Sequence, residues 1–298
     1  MALLAAAVVL VVAGAELFFD GLLAAASRLG VSAFTITVVV SGFELENLAA
    51  GIAADLKGLP DAAAGTFLGG TTFLALAVAG VAALVAPIRG GIPRRALLWV
   101  AVSPLPLLAL ALDGHLGRIE GAFLALWSGF VLWAIVRAGR VFAPEEPKRA
   151  RFPLLRVLGG LGVLTAGGEL LGEGIRRTVS DLGISQALLG NTAVAAAVEA
   201  EEVARVVTPA RRGRGELALA NVLGTIPHFC AFNAGLIALV RPLELGHEST
   251  SLHLPVAAAA PALLAIVVSV RGGLGRSEGL LLVAAYAAYV VAAIVAAV

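Results

Sequence analysis

Two short acidic motifs interrupt apolar stretches of this sequence, 155 positions apart. The first is Glu44-Leu45-Glu46-Asn47, and the second is Glu199-Ala200-Glu201-Glu202. A charged carboxylate at membrane depth costs about 2.5–3.5 kcal/mol to insert, so five of them require a compensating role. Carboxylate and amide oxygens are the ligands that Ca2+, Mg2+ and Na+ prefer. The two motifs therefore predict a path for a hard cation.

Helical geometry divides each motif between two faces. Residues three positions apart share a face, which places Glu44 with Asn47 and Glu199 with Glu202. We predict that these four residues bind the transported cation. Carboxylates held close together also take up protons more readily, so protons are expected to compete for the same oxygens. The alternative is a face that only makes interior hydrogen bonds.

The remaining acids of the motifs lie about 100° or more around their helices. Glu201 has Arg205 four residues later, and Glu202 has it three residues later. An intramembrane arginine needs a partner, so we expect a Glu201–Arg205 ion pair. The alternative is that Arg205 acts as a resident cation and lowers the number of ions that the site needs. Glu46 has no such neighbour and is a candidate for an access path.

Several weaker candidates follow each motif along the chain. Thr66, Asn221 and Thr225 are candidates to supply hydroxyl or amide oxygens to the site. His228 is expected to be a hydrogen-bonded interior histidine, with a pH-sensing role as the alternative. Small residues are expected to let helices pack closely; they are Gly65, Gly69 and Gly70.

The elements that must position these residues are membrane helices. The chain is 60% hydrophobic and 14% charged, with a mean hydropathy of +0.98, far from a soluble globular profile. Apolar runs near 20 residues are long enough to span a bilayer. We count ten, at about 2–26, 33–56, 62–87, 96–112, 120–138, 154–175, 185–208, 216–240, 254–270 and 278–297. The predicted fold class is an all-α integral membrane protein with ten transmembrane helices.

The Lys and Arg residues of the loops predict the orientation. One set of alternate loops carries fifteen and the opposite set carries five. The richer side is expected to be cytoplasmic, which places both termini outside the cytoplasm in a multi-pass protein of the cell (inner) membrane. The polar stretch 139–153 then becomes a cytoplasmic linker between residues 1–138 and residues 154–298.

The two halves repeat each other in order and in spacing. Gly14-Ala15-Glu16-Leu17 corresponds to Gly167-Gly168-Glu169-Leu170, and Leu29-Gly30-Val31-Ser32 to Leu182-Gly183-Ile184-Ser185. The acidic motif and the next helix start are 18 positions apart in both halves. Five spans per half is an odd number, so the second half is expected to enter the membrane inverted. Inverted repeats place a substrate site near the midplane, where the halves meet.

These features resemble the cation/Ca2+ exchanger superfamily, the sodium/calcium and proton/calcium antiporters. Its members carry two inverted five-helix repeats, each with a G-T-S-x-P-E motif in the second helix and G-N-x-x-G-S-N in the third. The repeat starts, the 18-residue spacing and Asn221-Val222-Leu223-Gly224 carry the resemblance, which covers nearly the whole chain. The resemblance implies alternating access, with cations bound between helices 2, 3, 7 and 8.

The motifs also depart from the family pattern. A match without gaps puts Asn47 and Glu202 at the family's principal glutamates. The same match assigns the other positions as follows: Glu44 and Glu199 at its serine, Glu46 and Glu201 at its proline, Gly70 and Thr225 at the serines of helices 3 and 8, and Leu74 and Phe229 where relatives often carry Asn or Asp ligands. The resemblance thus implies that polar ligands have been lost from helices 3 and 8 and carboxylates gained in helices 2 and 7.

The sequence predicts a transporter and not an enzyme. It contains no GxxxxGK[ST] loop, no Gly-x-Ser-x-Gly and no HExxH. We predict a secondary cation antiporter that moves Ca2+, or another hard cation such as Mg2+, against H+ or Na+. The alternatives are a Na+/H+ exchanger and a non-transporting scaffold on a decayed exchanger fold. The expected partners are inorganic cations and the lipid bilayer, with no nucleic acid and no cofactor.

Overall fold

The chain folds as an all-α membrane protein in a computed structural model that describes residues 2–42, 45–144, 152–180 and 201–296. The first half contains α1 (Ala2–Leu29), α2 (Ala33–Val40), α3 (Leu45–Leu56), α4 (Pro60–Phe73), α5 (Ala79–Val85), α6 (Arg94–Val102), α7 (Leu105–Ala111) and α8 (Arg118–Ala138). The second contains α9 (Pro153–Ser180), α10 (helical residues 201–211), α11 (Gly215–Pro227), α12 (Ala234–Val240), α13 (Leu254–Arg271) and α14 (Arg276–Ala296).

Seven segments of the described residues are long and apolar enough to cross a membrane. They are Ala6–Leu29, Pro60–Val85, Arg94–Ala111, Arg118–Val141, Gly215–Val240, Ser249–Arg271 and Arg276–Ala296. Each coincides with one of the ten predicted spans. Predicted span 33–56 corresponds to α2 and α3, span 154–175 lies within α9, and span 185–208 lies largely outside the described residues. The count of ten therefore stays a prediction.

A short π-helical segment interrupts the long helix of the site region in each half. Leu74–Val78 joins α4 to α5, and His228–Asn233 joins α11 to α12. Pro227 precedes the second segment and has no backbone N–H to donate, which accounts for the local change in helical pitch. π-Segments are frequent at functional sites because they redirect side chains within one helix.

Glycines bring the core helices to backbone contact. A Cβ atom on Gly121 of α8 would lie 2.7 Å from the carbonyl oxygen of Gly235 in α12. A Cβ atom on Gly80 of α5 would lie 2.9 Å from the carbonyl oxygen of Gly279 in α14. Close approach of this kind is how helices gain packing contacts in lipid, where no hydrophobic effect drives them together.

Helices α1 and α9 form a closely packed pair with a small hydrophobic cluster of its own. A Cβ atom on Gly14 would lie 2.6 Å from the Leu164 nitrogen, and one on Gly167 would lie 2.8 Å from the Val11 nitrogen. The cluster contains Val11, Ala15, Phe18, Leu22, Val157 and Leu164, and is separate from the main core. One side of α1 therefore packs on α9, while Phe19, Leu23 and Ala26 of the same helix belong to the main core.

Two-residue strands join loops that are distant in sequence. β1 (Ile88–Arg89) pairs antiparallel with β4 (Gly273–Leu274), and β2 (His115–Leu116) pairs antiparallel with β3 (Leu243–Glu244). Each pair links a loop of the first half to a loop of the second. The two halves are thus held together by backbone hydrogen bonds outside the helices.

Candidate cation site

The site is built around the break between α2 and α3. Ser32 caps the start of α2, where its hydroxyl accepts a hydrogen bond from the Thr35 N–H at 3.2 Å. The helix closes at Ser41, whose N–H donates to the Thr37 carbonyl at 2.9 Å. The C-terminal end of α2, which carries the negative end of the helix dipole, and the Ser41 carbonyl therefore face the break. Both features stabilise a cation there.

A buried guanidinium lies at this break. Arg205 of α10 contacts Glu201 Oε1 at 2.6 Å and Glu202 Oε1 at 2.9 Å. Its Nη1 also donates to the Ser41 carbonyl at 3.4 Å. The three residues are only 3–8% exposed. Arg205 thus connects two carboxylates of α10 to the end of α2.

The expected Glu201–Arg205 ion pair is present, and Glu202 contacts the same guanidinium, as its spacing of three residues from Arg205 allows. One guanidinium reaches both carboxylates because it offers several N–H donors on a long side chain. Glu202 therefore meets the same cation as Glu201, although the two acids are adjacent in sequence.

Helix α11 forms the opposite wall. The Thr225 hydroxyl is within hydrogen-bond distance of the carbonyls of Asn221, at 2.8 Å, and Ser41, at 3.2 Å. The Ser41 hydroxyl donates to the Asn221 carbonyl at 3.1 Å. Gly224 allows this approach, since a Cβ atom there would lie 2.8 Å from the Ser41 hydroxyl oxygen. Asn221 and Thr225 are therefore beside the break, as their prediction as site residues requires.

The side chain of Asn221 is a further source of ligands. It is 1% exposed, and neither its amide oxygen nor its amide nitrogen has a hydrogen-bond partner among the described residues. An unsatisfied buried amide costs about 1–3 kcal/mol. Its oxygen is therefore suited to accept a cation or a water molecule.

His228 is an interior histidine that packs against the helix break. It is buried, and its Nδ1 lies 2.8 Å from the Gly224 carbonyl oxygen. A carbonyl only accepts, so Nδ1 carries the proton of this hydrogen bond. The imidazole lies so close to Gly42 that a Cβ atom there would overlap it. The hydrogen-bonded interior position agrees with the sequence prediction.

The structure describes the remaining predicted ligands only in part. Glu44 and Glu199 lie outside the described residues, as does the side chain of Glu46. Asn47 is half-buried in α3. Thr66 donates to the Ala63 carbonyl of its own helix at 2.8 Å, and its hydroxyl oxygen would lie 2.7 Å from a Cβ atom on Gly51 of α3. Thr66 therefore lies where α4 packs on α3.

The two positions where the resemblance implied lost ligands are apolar core. Leu74 and Phe229 are buried, and each lies in the π-helical segment of its half. The Phe229 ring packs against Gly70, where a Cβ atom would lie 2.5 Å from it. The described residues likewise contain no group of three His, Cys, Asp or Glu side chains placed to hold a metal ion.

A second polar region, which sequence reasoning missed, is a cavity of about 210 Å3 beside α4. Asp61, Glu248, His253 and Tyr289 line it, and His253 Nδ1 lies 2.7 Å from the Tyr289 hydroxyl. Gly65 and Gly69 border the same cavity, and a Cβ atom on either would meet nothing within 4 Å. Their prediction as close-packing residues is wrong, because the neighbouring helices leave space there; it holds only for Gly70.

An arginine outside the site ties the α1–α9 pair to α10. Arg212, just beyond α10, makes ion pairs with Glu16 and with Asp20, the latter at 2.5 Å. Its guanidinium also lies 5.0 Å from the centre of the Phe19 ring. The acids near the repeat start of α1 therefore bind a side chain of the second half.

Comparison with known families shows to which family this chain belongs. The family model described as "Sodium/calcium exchanger protein" matches residues 1–136 and 152–295, which is most of the chain. The chain belongs to this family. Its members are membrane exchangers, so the antiporter resemblance drawn from the motifs is confirmed at the level of family.

Individual relatives of this exchanger-family protein agree with that placement. It is 28% identical to "Putative antiporter CaxA" of Alkalimonas amylolytica, over 94% of both chains. It is 27% identical to "Inner membrane protein YrbG" of Escherichia coli, over 70% of both chains. It also matches a structure of the sodium-calcium exchanger NCX_Mj with a TM-score of 0.84 and 21% identity, over 98% of this chain and 97% of the other, which shows a shared fold.

Proposed function

We propose that this exchanger-family protein is a secondary active cation antiporter that exchanges Ca2+, or another hard cation, against H+ or Na+ by alternating access. The observation that carries the proposal is the convergence of two buried carboxylates, Glu201 and Glu202, with the Ser41 carbonyl at a broken helix. Buried charge of this kind at membrane depth is retained for ion pathways. The names of CaxA and of NCX_Mj support the same class.

We propose further that the ten helices form two inverted repeats, residues 1–138 and 154–298. The glycine contacts support this division. Gly80 and Gly235 are 155 positions apart, their partners Gly279 and Gly121 are 158 apart, and each pair makes the same backbone contact. The strand pairs β1–β4 and β2–β3 follow the same relation. Two interfaces related in this way are expected from a two-fold axis between the halves.

Alternating access then requires two bodies that move against each other. The hydrophobic cluster between α1 and α9 supports the assignment of this pair as the moving body. The main core lies mostly among the other described helices, and α1 contributes Phe19, Leu23 and Ala26 to it. The loop charges support a cytoplasmic linker at 139–153 and both termini outside the cytoplasm.

Flux through reconstituted protein tests the function. Proteoliposomes would be loaded to impose a proton or sodium gradient, and uptake of radioactive Ca2+ or Na+, or of Mg2+ with an indicator dye, would be followed. We expect uptake of one ion under one gradient, with at least a tenfold loss in Glu202→Gln, since Glu202 is buried at the site. Glu244→Gln is the control, because Glu244 is 76% exposed in a loop strand.

Na+/H+ exchange is the second candidate, favoured by a specific observation. Arg205 neutralises part of the acidic cluster, which lowers its demand for divalent charge. Proton-driven Na+ flux without Ca2+ flux would select this candidate. Absence of flux for every ion under both gradients would overturn antiport and leave the scaffold.

A further inference from the structure

The position of Arg205 is that of a bound cation. Its guanidinium meets two carboxylate oxygens, at 2.6 and 2.9 Å, and the carbonyl at the C-terminal end of α2, at 3.4 Å. Carboxylates, backbone carbonyls of an unwound helix and a helix C-terminus are the features by which transporters hold Na+ or H+ near the midplane. Here a side chain of the protein occupies such a place.

Arg205 changes the charge that the site presents to an ion. Its positive charge cancels one of the negative charges of Glu201 and Glu202. A buried cluster is most stable near neutrality, because desolvated net charge is costly. With Arg205 in place, the site therefore needs one positive charge less from a transported ion than it would need without it.

Arg205 is also anchored. It lies three and four residues from its carboxylates on the same helix, is 8% exposed, and contacts α2 across the site. Removing one partner of a buried ion pair is strongly destabilising, so the guanidinium is expected to stay with its two carboxylates when α10 changes its surroundings. It therefore travels with the site and does not exchange with solvent.

We propose that Arg205 is a tethered cation that permanently fills one cation position and thereby sets the charge of the ion that the site accepts. This inference rests on the proposed antiport function, of which it specifies the ionic selectivity. Loss of this positive charge is expected to make the site more negative by one charge and to favour a divalent ion.

Binding measurements on purified protein test the charge rule without relying on flux. The dissociation constants for Ca2+ and Na+ and the midpoint temperature of unfolding would be measured for wild type, Arg205→Gln and Arg205→Lys. We expect Ca2+ to bind at least about tenfold more tightly to Arg205→Gln, and Ca2+ to raise its midpoint temperature more than that of wild type. Arg205→Lys keeps the charge and should restore the wild-type ion preference.

A double variant tests the charge rule at constant net charge. Glu201→Gln with Arg205→Gln removes one charge of each sign, so the net charge of the site is unchanged, although Glu202 also loses its contact with the guanidinium. Its Ca2+ dissociation constant is expected to move back toward the wild-type value.

Two outcomes would overturn the tethered cation. One is an unchanged Ca2+ affinity in Arg205→Gln, with a midpoint temperature that falls equally with and without Ca2+, which is the behaviour of a structural ion pair. The other is an Arg205→Lys variant that behaves like Arg205→Gln, which would show that geometry and not charge matters. Failure of antiport itself would instead appear as wild-type protein that moves no ion in proteoliposomes, whatever these variants bind.

Discussion

At the scale of single residues, the site depends on contacts that the acidic motifs alone do not reveal. Arg205 satisfies Glu201 and Glu202 together, and its third contact is a backbone carbonyl, Ser41. Asn221 keeps a buried amide without a hydrogen-bond partner in the described part of the chain. A buried charged cluster with an adjacent unsatisfied amide is a place where an ion or water is expected to bind.

The contact between Gly42 and His228 gives a prediction at this scale. Gly42→Ala places a methyl group where the imidazole lies, so His228 must move or the break between α2 and α3 must shift. We expect a loss of about 1–3 kcal/mol of stability, seen as a lower midpoint temperature in thermal unfolding. Gly69→Ala is the control, since a Cβ atom there meets nothing within 4 Å.

Combining His228→Ala with Gly42→Ala should relieve the overlap. The double variant is then expected to lose less stability than the sum of the losses of the two single variants. Strict additivity would show that the imidazole and the glycine do not share this space.

At the scale of elements, glycines decide how closely the helices pack. The contacts of α8 with α12 and of α5 with α14 each depend on a pair of glycines whose Cβ positions are filled by a backbone carbonyl. The π-helical segments lie just before α5 and α12 and direct Leu74 and Phe229 into the core. Packing and local helix pitch therefore shape the wall of the site from outside it.

Helix α8 offers a matched pair of glycines to test this packing. Gly121→Ala is expected to force α8 away from α12, because its Cβ atom would lie 2.7 Å from the Gly235 carbonyl oxygen, and to cost about 1–3 kcal/mol. Gly129→Ala changes the same helix where no atom lies within 4 Å. Thermal unfolding in detergent should separate the two variants by several degrees; equal midpoints would contradict a tight α8–α12 contact.

At the scale of the whole molecule, α9 packs on α1 through a hydrophobic cluster of its own, while α1 also contributes Phe19, Leu23 and Ala26 to the main core. Arg212 adds a polar contact to α1 through Glu16, Asp20 and the face of Phe19. Partly exposed ion pairs are worth at most about 1 kcal/mol each, so a contact of this kind positions the pair without locking it. That balance suits a structure whose two bodies are proposed to move.

Arg212→Gln is therefore expected to have a small and localised effect. Hydrogen exchange of the α1 amides near Glu16 and Asp20 should rise about two- to fivefold, which corresponds to a few tenths to about 1 kcal/mol. Arg211→Gln removes the same charge one residue earlier, where no ion pair to α1 is described, and serves as the control. Equal exchange in both variants would show that Arg212 does not hold α1.

The sequence by itself determined that this is a membrane protein, where the seven spans found in the described residues lie, and which family the chain belongs to. It also determined that Glu201 pairs with Arg205. These follow from local rules, because hydropathy over about 20 residues identifies a span and residues four apart on a helix meet. The spacing shared by the halves also located Asn221 and Thr225 beside the site.

Only the tertiary structure decided which partners meet from distant parts of the chain. Three contacts join residues 164 or more positions apart: Arg205 with Ser41, His228 with Gly42, and Arg212 with the acids of α1. The tertiary structure also leaves a cavity beside Gly65 and Gly69, where the sequence predicted close helix packing. The physical reason is that a small residue allows either close contact with a neighbouring helix or an open cavity. Which of the two forms depends on the groups that the neighbouring helix places there.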